Sequence, residues 1–126
     1  MTLDELYEAV LREVQVLPIG EAAPPEYVQL VAAKYTSLYD MMLTDSLVSW
    51  TSDEDIPTYA EQPVTMMLAY LSASALGLPE SKVAELRQAG ALHLPPAEGG
   101  PSHAERQLRR QLARAYVPYP AQSDYF

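Results

Sequence analysis

The sequence predicts an all-α fold: a small bundle of four to five helices followed by an extended C-terminal arm. Three observations predict it. Apolar residues recur at helical spacing in several stretches. A Ser/Thr-x-x-Glu pair, the signature of a capping box, opens two of them. Most prolines and glycines fall between these stretches, where they punctuate and do not interrupt. The organising stretch is Val64–Leu76, VTMMLAYLSASAL, which carries no charge and has Thr65, Ser72 and Ser74 as its polar positions. A helix that is apolar all round must be covered all round, and a chain of 126 residues has limited interior for that. The helix is therefore expected to be both the core of the domain and a contact between subunits, with Met67, Leu68 and Leu71 packed inside.

Composition and charge narrow the function classes. An apolar content of 48% argues for a folded domain, and the length suits one domain of ordinary size. The chain has no cysteine, which excludes disulfides, thiolate metal sites and cysteine catalysis. Its first residues, MTLDELYEAVLREV, mix charges with apolar residues and are not expected to be a signal peptide. The 18 residues Gln62–Pro79 are uncharged. Pro63 and Gly77-Leu78-Pro79 confine their helix to about 14 residues, about 21 Å, which is too short to cross a bilayer. Net charge is −9, and it is unevenly spread. Residues 1–98 hold 4 basic and 15 acidic side chains, whereas residues 99–126 hold 4 arginines against Glu105 and Asp124. An acidic body gains nothing from counterion release, so tight DNA binding by it is not expected.

Thr2 and Glu5 open the first helix, expected over 3–16, with Leu3, Leu6, Tyr7, Val10, Leu11 and Val14 at helical spacing. Pro18 and Gly20 close it. Pro25 suits the first position of a helix over 25–44, where Val28, Val31, Tyr35, Leu38 and Met42 form one stripe. Tyr27, Tyr39 and Met41 widen that stripe, which reads as core before it reads as a ligand pocket. Asp45-Ser46 then breaks the pattern, and Leu47–Thr51 alternates as a short extended piece would. Trp50, the only tryptophan, reads as a plug at the end of the core, with an interface anchor as the sharper alternative. Ser52-Asp53-Glu54-Asp55 is a solvated acidic turn before the central helix, expected over 58–76. It lacks the ligand spacing and glycine of a calcium loop.

Gly77 and Pro79 end the central helix. A short helix over 80–89 follows, and 90–101 is expected to be a long irregular loop, suited to mobility or to partner contact. Ser102 and Glu105 repeat the capping-box spacing and open a helix to Ala115. Ala104, Leu108, Leu112 and Ala115 fall on one side of it. Arg106, Arg110 and Arg114 form a stripe on the other, flanked by Arg109. A solubilising face and a partner contact are both open readings of that stripe. Residues 1–115 then form the helical domain, and 116–126, YVPYPAQSDYF, form the arm. Pro118 and Pro120 favour an extended form, and Tyr116, Tyr119, Tyr125 and Phe126 give the segment aromatic surface for docking.

Chemistry is sparse. His93 and His103 stand ten residues apart with no metal-ligand spacing, and no nucleophile-elbow, P-loop or dinucleotide-binding motif occurs. No catalytic residue, metal or cofactor is expected, and the chain does not read as an enzyme.

Taken together, "VQVLPIGE", "LYDMML" followed by "DSLVSW", the "IP" turn, "PVTMMLAYLSASALGLP" and a late helix with an aromatic arm resemble the head–tail adaptor (connector) proteins of tailed bacteriophages, including the packaged-DNA stabilisation type. Asp45-Ser46-Leu47 stands where related sequences often carry an acidic–Gly–Leu turn, and the 90–101 loop has no counterpart there. The resemblance implies an all-helical subunit of a homo-oligomeric ring, typically twelvefold, beneath the portal protein in the virion. It implies that the C-terminal segment embraces the portal, that tail or neck proteins attach below, and that DNA passes through the channel without specific binding. In that frame Arg106, Arg109, Arg110, Arg114, Tyr116, Tyr119, Tyr125 and Phe126 contact the portal or a neighbouring subunit. Trp50, Met67, Leu68 and Leu71 pack the core or the subunit boundary. Two other classes stand beside it: a small helical binding or regulatory module that buries a partner helix against Met41, Met42, Met66 and Met67, and a hydrolase resting on a single carboxylate.

Overall fold

Thr2 starts the first helix as its sequence requires. Its hydroxyl accepts the Glu5 N–H at 3.1 Å while the Glu5 carboxylate accepts the Thr2 N–H at 2.8 Å, which satisfies two donors a helix start leaves unpaired. That backbone bond from Thr2, then the Thr2 hydroxyl, holds the Glu5 carboxyl below the ordinary carboxylate range. The structure, a computed structural model, describes residues 1–15 and 20–115. The expected arm and its four aromatic residues lie outside them.

Five α-helices make up the described chain: α1 Leu3–Glu13, α2 Pro25–Thr44, α3 Glu61–Ala73, α4 Glu80–Gly90 and α5 His103–Ala115. The fold is all-α, and among the described residues there is no strand. α1 is shorter than the expected 3–16, because Gln15 turns to φ +64 and the helical ladder cannot continue through it. The expected single helix over 58–76 is divided. A 3₁₀ turn at Thr58–Ala60 leads into α3, and Pro63 sits in its first turn, where a missing N–H costs no bond.

Two helix ends close in the same way with different residues. Beyond α3, Leu78 N–H reaches Ala73 O and Gly77 N–H reaches Ser74 O, both at 3.1 Å, with Gly77 at φ +79. Beyond α2, Leu47 N–H reaches Met42 O at 2.8 Å and Ser46 N–H reaches Leu43 O at 3.1 Å, with Ser46 at φ +59. Both are Schellman caps, which need a left-handed residue and favour glycine. Ser46 therefore carries a backbone cost that Gly77 does not. Ser46→Gly should stabilise the domain by about 1 kcal/mol, read as a raised midpoint in denaturant with an unchanged slope.

The central helix is covered within one chain. α3 packs against α1, α2, α4 and α5, and Val64, Met67, Leu68, Ala69 and Ala73 have no exposed surface. Four neighbours supply the burial that the sequence reading assigned partly to a second subunit, so α3 does not need a partner to be hidden. Leu71 departs from expectation. It is half-buried and lines a shallow depression with Met41 and Tyr70. The close approach of α4 to α3 depends on Gly90. A Cβ there would collide with the Met66 carbonyl oxygen and lie 2.6 Å from its carbon and 2.9 Å from Met67 N.

An aromatic cluster closes the core beside the corner after α2. The Trp50 indole donates to the Tyr35 hydroxyl at 3.1 Å, and the Tyr39 hydroxyl donates to Trp50 O at 2.5 Å. Tyr7 meets Tyr35 edge-on at 6.3 Å, and Tyr59 meets Trp50 edge-on at 6.5 Å. Trp50 is only 6% exposed, so it plugs the core and offers little to a partner. Burial raises the Tyr35 and Tyr7 hydroxyls above their ordinary pKa of 10.0. A raised folded-state pKa gives stability that is present below the unfolded value and lost as pH climbs through the folded one. The domain should therefore lose stability as pH rises above about 10. Phenolate absorbance should rise together with the unfolding seen in Trp50 fluorescence.

Candidate interaction surface on the last helix

The second capping box forms only half. The Glu105 N–H donates to the Ser102 hydroxyl at 3.2 Å, but no return bond from the Glu105 carboxylate to Ser102 N is formed. Instead one carboxylate oxygen accepts the His93 N–H at 3.2 Å and the other accepts Arg109 Nε at 2.9 Å. His93 stands at φ +62, a left-handed conformation that aims its N–H toward the start of α5. Glu105 is 5% exposed, and these two donors satisfy its buried carboxylate oxygens. The sequence showed Glu105 only as a capping residue and placed no acid in the interior.

The segment expected to be a long irregular loop is irregular for most of its length but tied down at several points. Ala91 and Leu94 are buried. Arg87 pairs with Glu98 at 2.9 Å, across a 3₁₀ turn at Pro96–Glu98. His93 Nε2 lies 2.7 Å from Asp45 Oδ2 at the end of α2. That approach is off the N–H direction, so the buried oxygen lies against the ring with no aligned donor among the described residues. His93 thus joins the ends of α2 and α5, a role its lone position in the sequence did not reveal.

α5 turns Ala104, Leu108 and Leu112 inward and Arg106, Arg109 and Arg110 outward. Arg12, Arg87 and Arg109 each pair with a carboxylate of their own chain: Glu8, Glu98 and Glu105. Arg106 and Arg110 are exposed and make no ion pair among the described residues. Like charges four apart on a helix cost about 0.2–0.5 kcal/mol, so this ridge does not stabilise α5. Arg114 continues the register on the backbone, and its side chain lies outside the description. Tyr116, Tyr119, Tyr125 and Phe126 lie outside it altogether, so the structure does not bring them to the ridge or away from it.

Between the corner after α2 and α5 lies an open groove of about 240 Å³, lined by Ser46, Leu47, Arg109, Leu112 and Ala113. The depression beside Leu71 holds about 90 Å³. Both are below the ~300–1,000 Å³ of small-molecule sites. Groups of three or more His, Asp or Glu side chains able to hold a metal ion are absent among the described residues, and none of the helices there is long and apolar enough to cross a membrane. The methionine surface imagined for a partner helix is not assembled either. Met42 and Met67 are fully buried, Met66 is half-buried on α3 where Gly90 approaches, and Met41 alone reaches 37% exposure.

What these features define is an all-α bundle whose distinctive surface is a ridge of arginines, Arg106 and Arg110, that make no ion pair among the described residues, on an otherwise acidic body. Compared with protein families, curated proteins and solved structures, the chain matches none of them.

Proposed function

We propose that this chain is a structural head–tail adaptor of a tailed phage. In this reading copies form a ring, twelvefold in keeping with the portal it serves, that lengthens the DNA channel and helps retain packaged DNA. Tail or neck components attach on the far side, and the protein resides at the head–tail junction of the virion. The observation that carries the reading is the Arg106–Arg110 ridge. Its guanidinium groups make no ion pair among the described residues of a chain of net charge −9, and the helix that bears it leads directly into 116–126. Arginine is suited to bidentate contacts with carboxylates, so the ridge fits an acidic surface on the portal or on the next subunit. The resemblance to adaptor sequences is what points to the portal as that partner, and the chemistry of the ridge supports the direction of approach. The role is mechanical, with no catalytic group and no cofactor assigned.

Electron microscopy of the protein alone and mixed with the portal protein of the same phage tests the proposal. A ring seated on the portal, coaxial with its channel, is the expected image. Portal particles with no added density would overturn it. The acidic groups of residues 1–98 border the channel in this account, so DNA slides without being held. Duplex DNA should bind no more tightly than about micromolar at physiological salt, as read by fluorescence anisotropy. A tighter, salt-sensitive complex would contradict an acidic channel wall.

A further inference from the structure

The groove beside α5 combines an apolar floor with a prearranged charge. We propose that it receives segment 116–126 of a second copy of this chain. The inference rests on the adaptor reading for the existence of a ring, and it names the place where one subunit holds the next.

Chemistry favours that occupant. Leu47 and Leu112 form an apolar floor and Ala113 leaves room above it. The space suits an aromatic side chain better than a drug-sized ligand. Segment 116–126 supplies Tyr116, Tyr119, Tyr125 and the chain's only phenylalanine, Phe126, within eleven residues. At the rim Glu105 holds Arg109 by its Nε at 2.9 Å, and the terminal nitrogens have no partner among the described residues. A guanidinium fixed in this way can accept the face of a tyrosine ring or pair with the Asp124 carboxylate. Buried Glu105 thereby orients a charge at the edge of an apolar surface.

Geometry favours a second copy over the chain's own segment. Ala113 lines the groove, and α5 ends two residues later at Ala115. Segment 116–126 therefore begins within three residues of the groove's lining. Val117 and Tyr119 precede prolines, which disfavours the helical turn needed for reversal, and Pro118 and Pro120 fix their own φ. Residues 116–120, when extended, span at most about 16 Å at 3.3 Å each. A return to the same groove would have to be made by the remaining six residues, whereas an identical groove on a neighbour requires no reversal. Arm into groove is a head-to-tail contact, the kind that closes into a ring when its rotation allows.

The absence of cysteine makes disulfide mapping clean. Full-length copies carrying Ala113→Cys are mixed with copies carrying Ser123→Cys and gently oxidised. Copies carrying Gln88→Cys, an exposed position on α4, serve as the comparison site. Interchain bridging to Cys at 113 is expected to be roughly tenfold or more faster than at 88, the gain of a docked over a collisional pair. The double variant A113C/S123C should give a ladder of linked chains. Equal rates at the two sites would overturn the proposal, and so would a double variant that bridges only within single chains. Ser46→Cys, on the opposite rim, gives the same reading should A113C fold poorly. No portal is present in this experiment. It can therefore succeed where portal assembly fails, or fail where portal assembly succeeds.

Discussion

Gly90→Ala is expected to lower the melting temperature more than any other single-methyl addition to this domain. The added Cβ would collide with the Met66 carbonyl oxygen and come within 2.6 Å of its carbon. Both are backbone atoms inside α3, so no rotamer change can relieve the clash. The relief available is to move α4 away from α3, which would open the contact around Met67 and Leu86, both buried. Overpacking of this kind costs about 1–3 kcal/mol, and more where backbone must shift. For a domain of this size each kcal/mol is worth about 4 °C. Leu68→Ala probes the same centre from the opposite direction. Leu68 has no exposed surface, and its truncation should cost about 2–5 kcal/mol. Thermal melts followed by circular dichroism measure both. A melting temperature unchanged in Leu68→Ala would mean that α3 is not the centre of the fold.

Deleting residues 117–126 should have the opposite profile: little change in the fold and a complete loss of assembly. Among the described residues, twenty-two form one continuous buried core that runs from Leu6 to Leu112, all upstream of the deletion. Helical circular dichroism and the melting temperature should therefore stay close to those of the full chain. Assembly depends on what the deletion removes, namely Tyr119, Tyr125 and Phe126, rings that contribute contact area at two torsions each. The prolines limit the conformational freedom the segment must give up on docking. Charge reversal of the ridge, Arg106→Glu with Arg110→Glu, should weaken assembly and flatten its salt dependence, since it removes the steering term and leaves the aromatic one.

The fold was legible where local chemistry and packing agree. Thr2 with Glu5, and Pro25 at a helix start, mark their elements because the cap or the missing donor decides the conformation locally. The stripe Val31–Tyr35–Leu38–Met42 identifies its own buried face for the same reason. Misreadings arose where a distant residue claims a side chain. Glu105 has capping-box spacing, but its carboxylate is taken by His93 and Arg109. His93 has no sequence context and finds Asp45, forty-eight positions earlier, only through folding. The loop 90–101 looks irregular by its prolines and glycines, yet Leu94 and the Arg87–Glu98 pair fasten it. Ser46 could have been found as a strained position from its place two residues past the last turn of α2, where glycine is the usual choice. The candidate surface was legible in part. The arginine stripe shows in the spacing, and so does the Glu105–Arg109 pair, four apart on one helix; that Arg106 and Arg110 meet no carboxylate among the described residues follows from the tertiary fold.

Sedimentation velocity of the portal protein mixed with the full-length chain, and separately with the chain lacking 117–126, tests the adaptor reading most directly. The account predicts that the full chain shifts the portal boundary to a faster species containing both proteins. It predicts that the truncated chain, still helical by circular dichroism, leaves the portal boundary where it was. A truncated chain that binds the portal as well as the full chain does, or a full chain that never shifts it, would contradict the account.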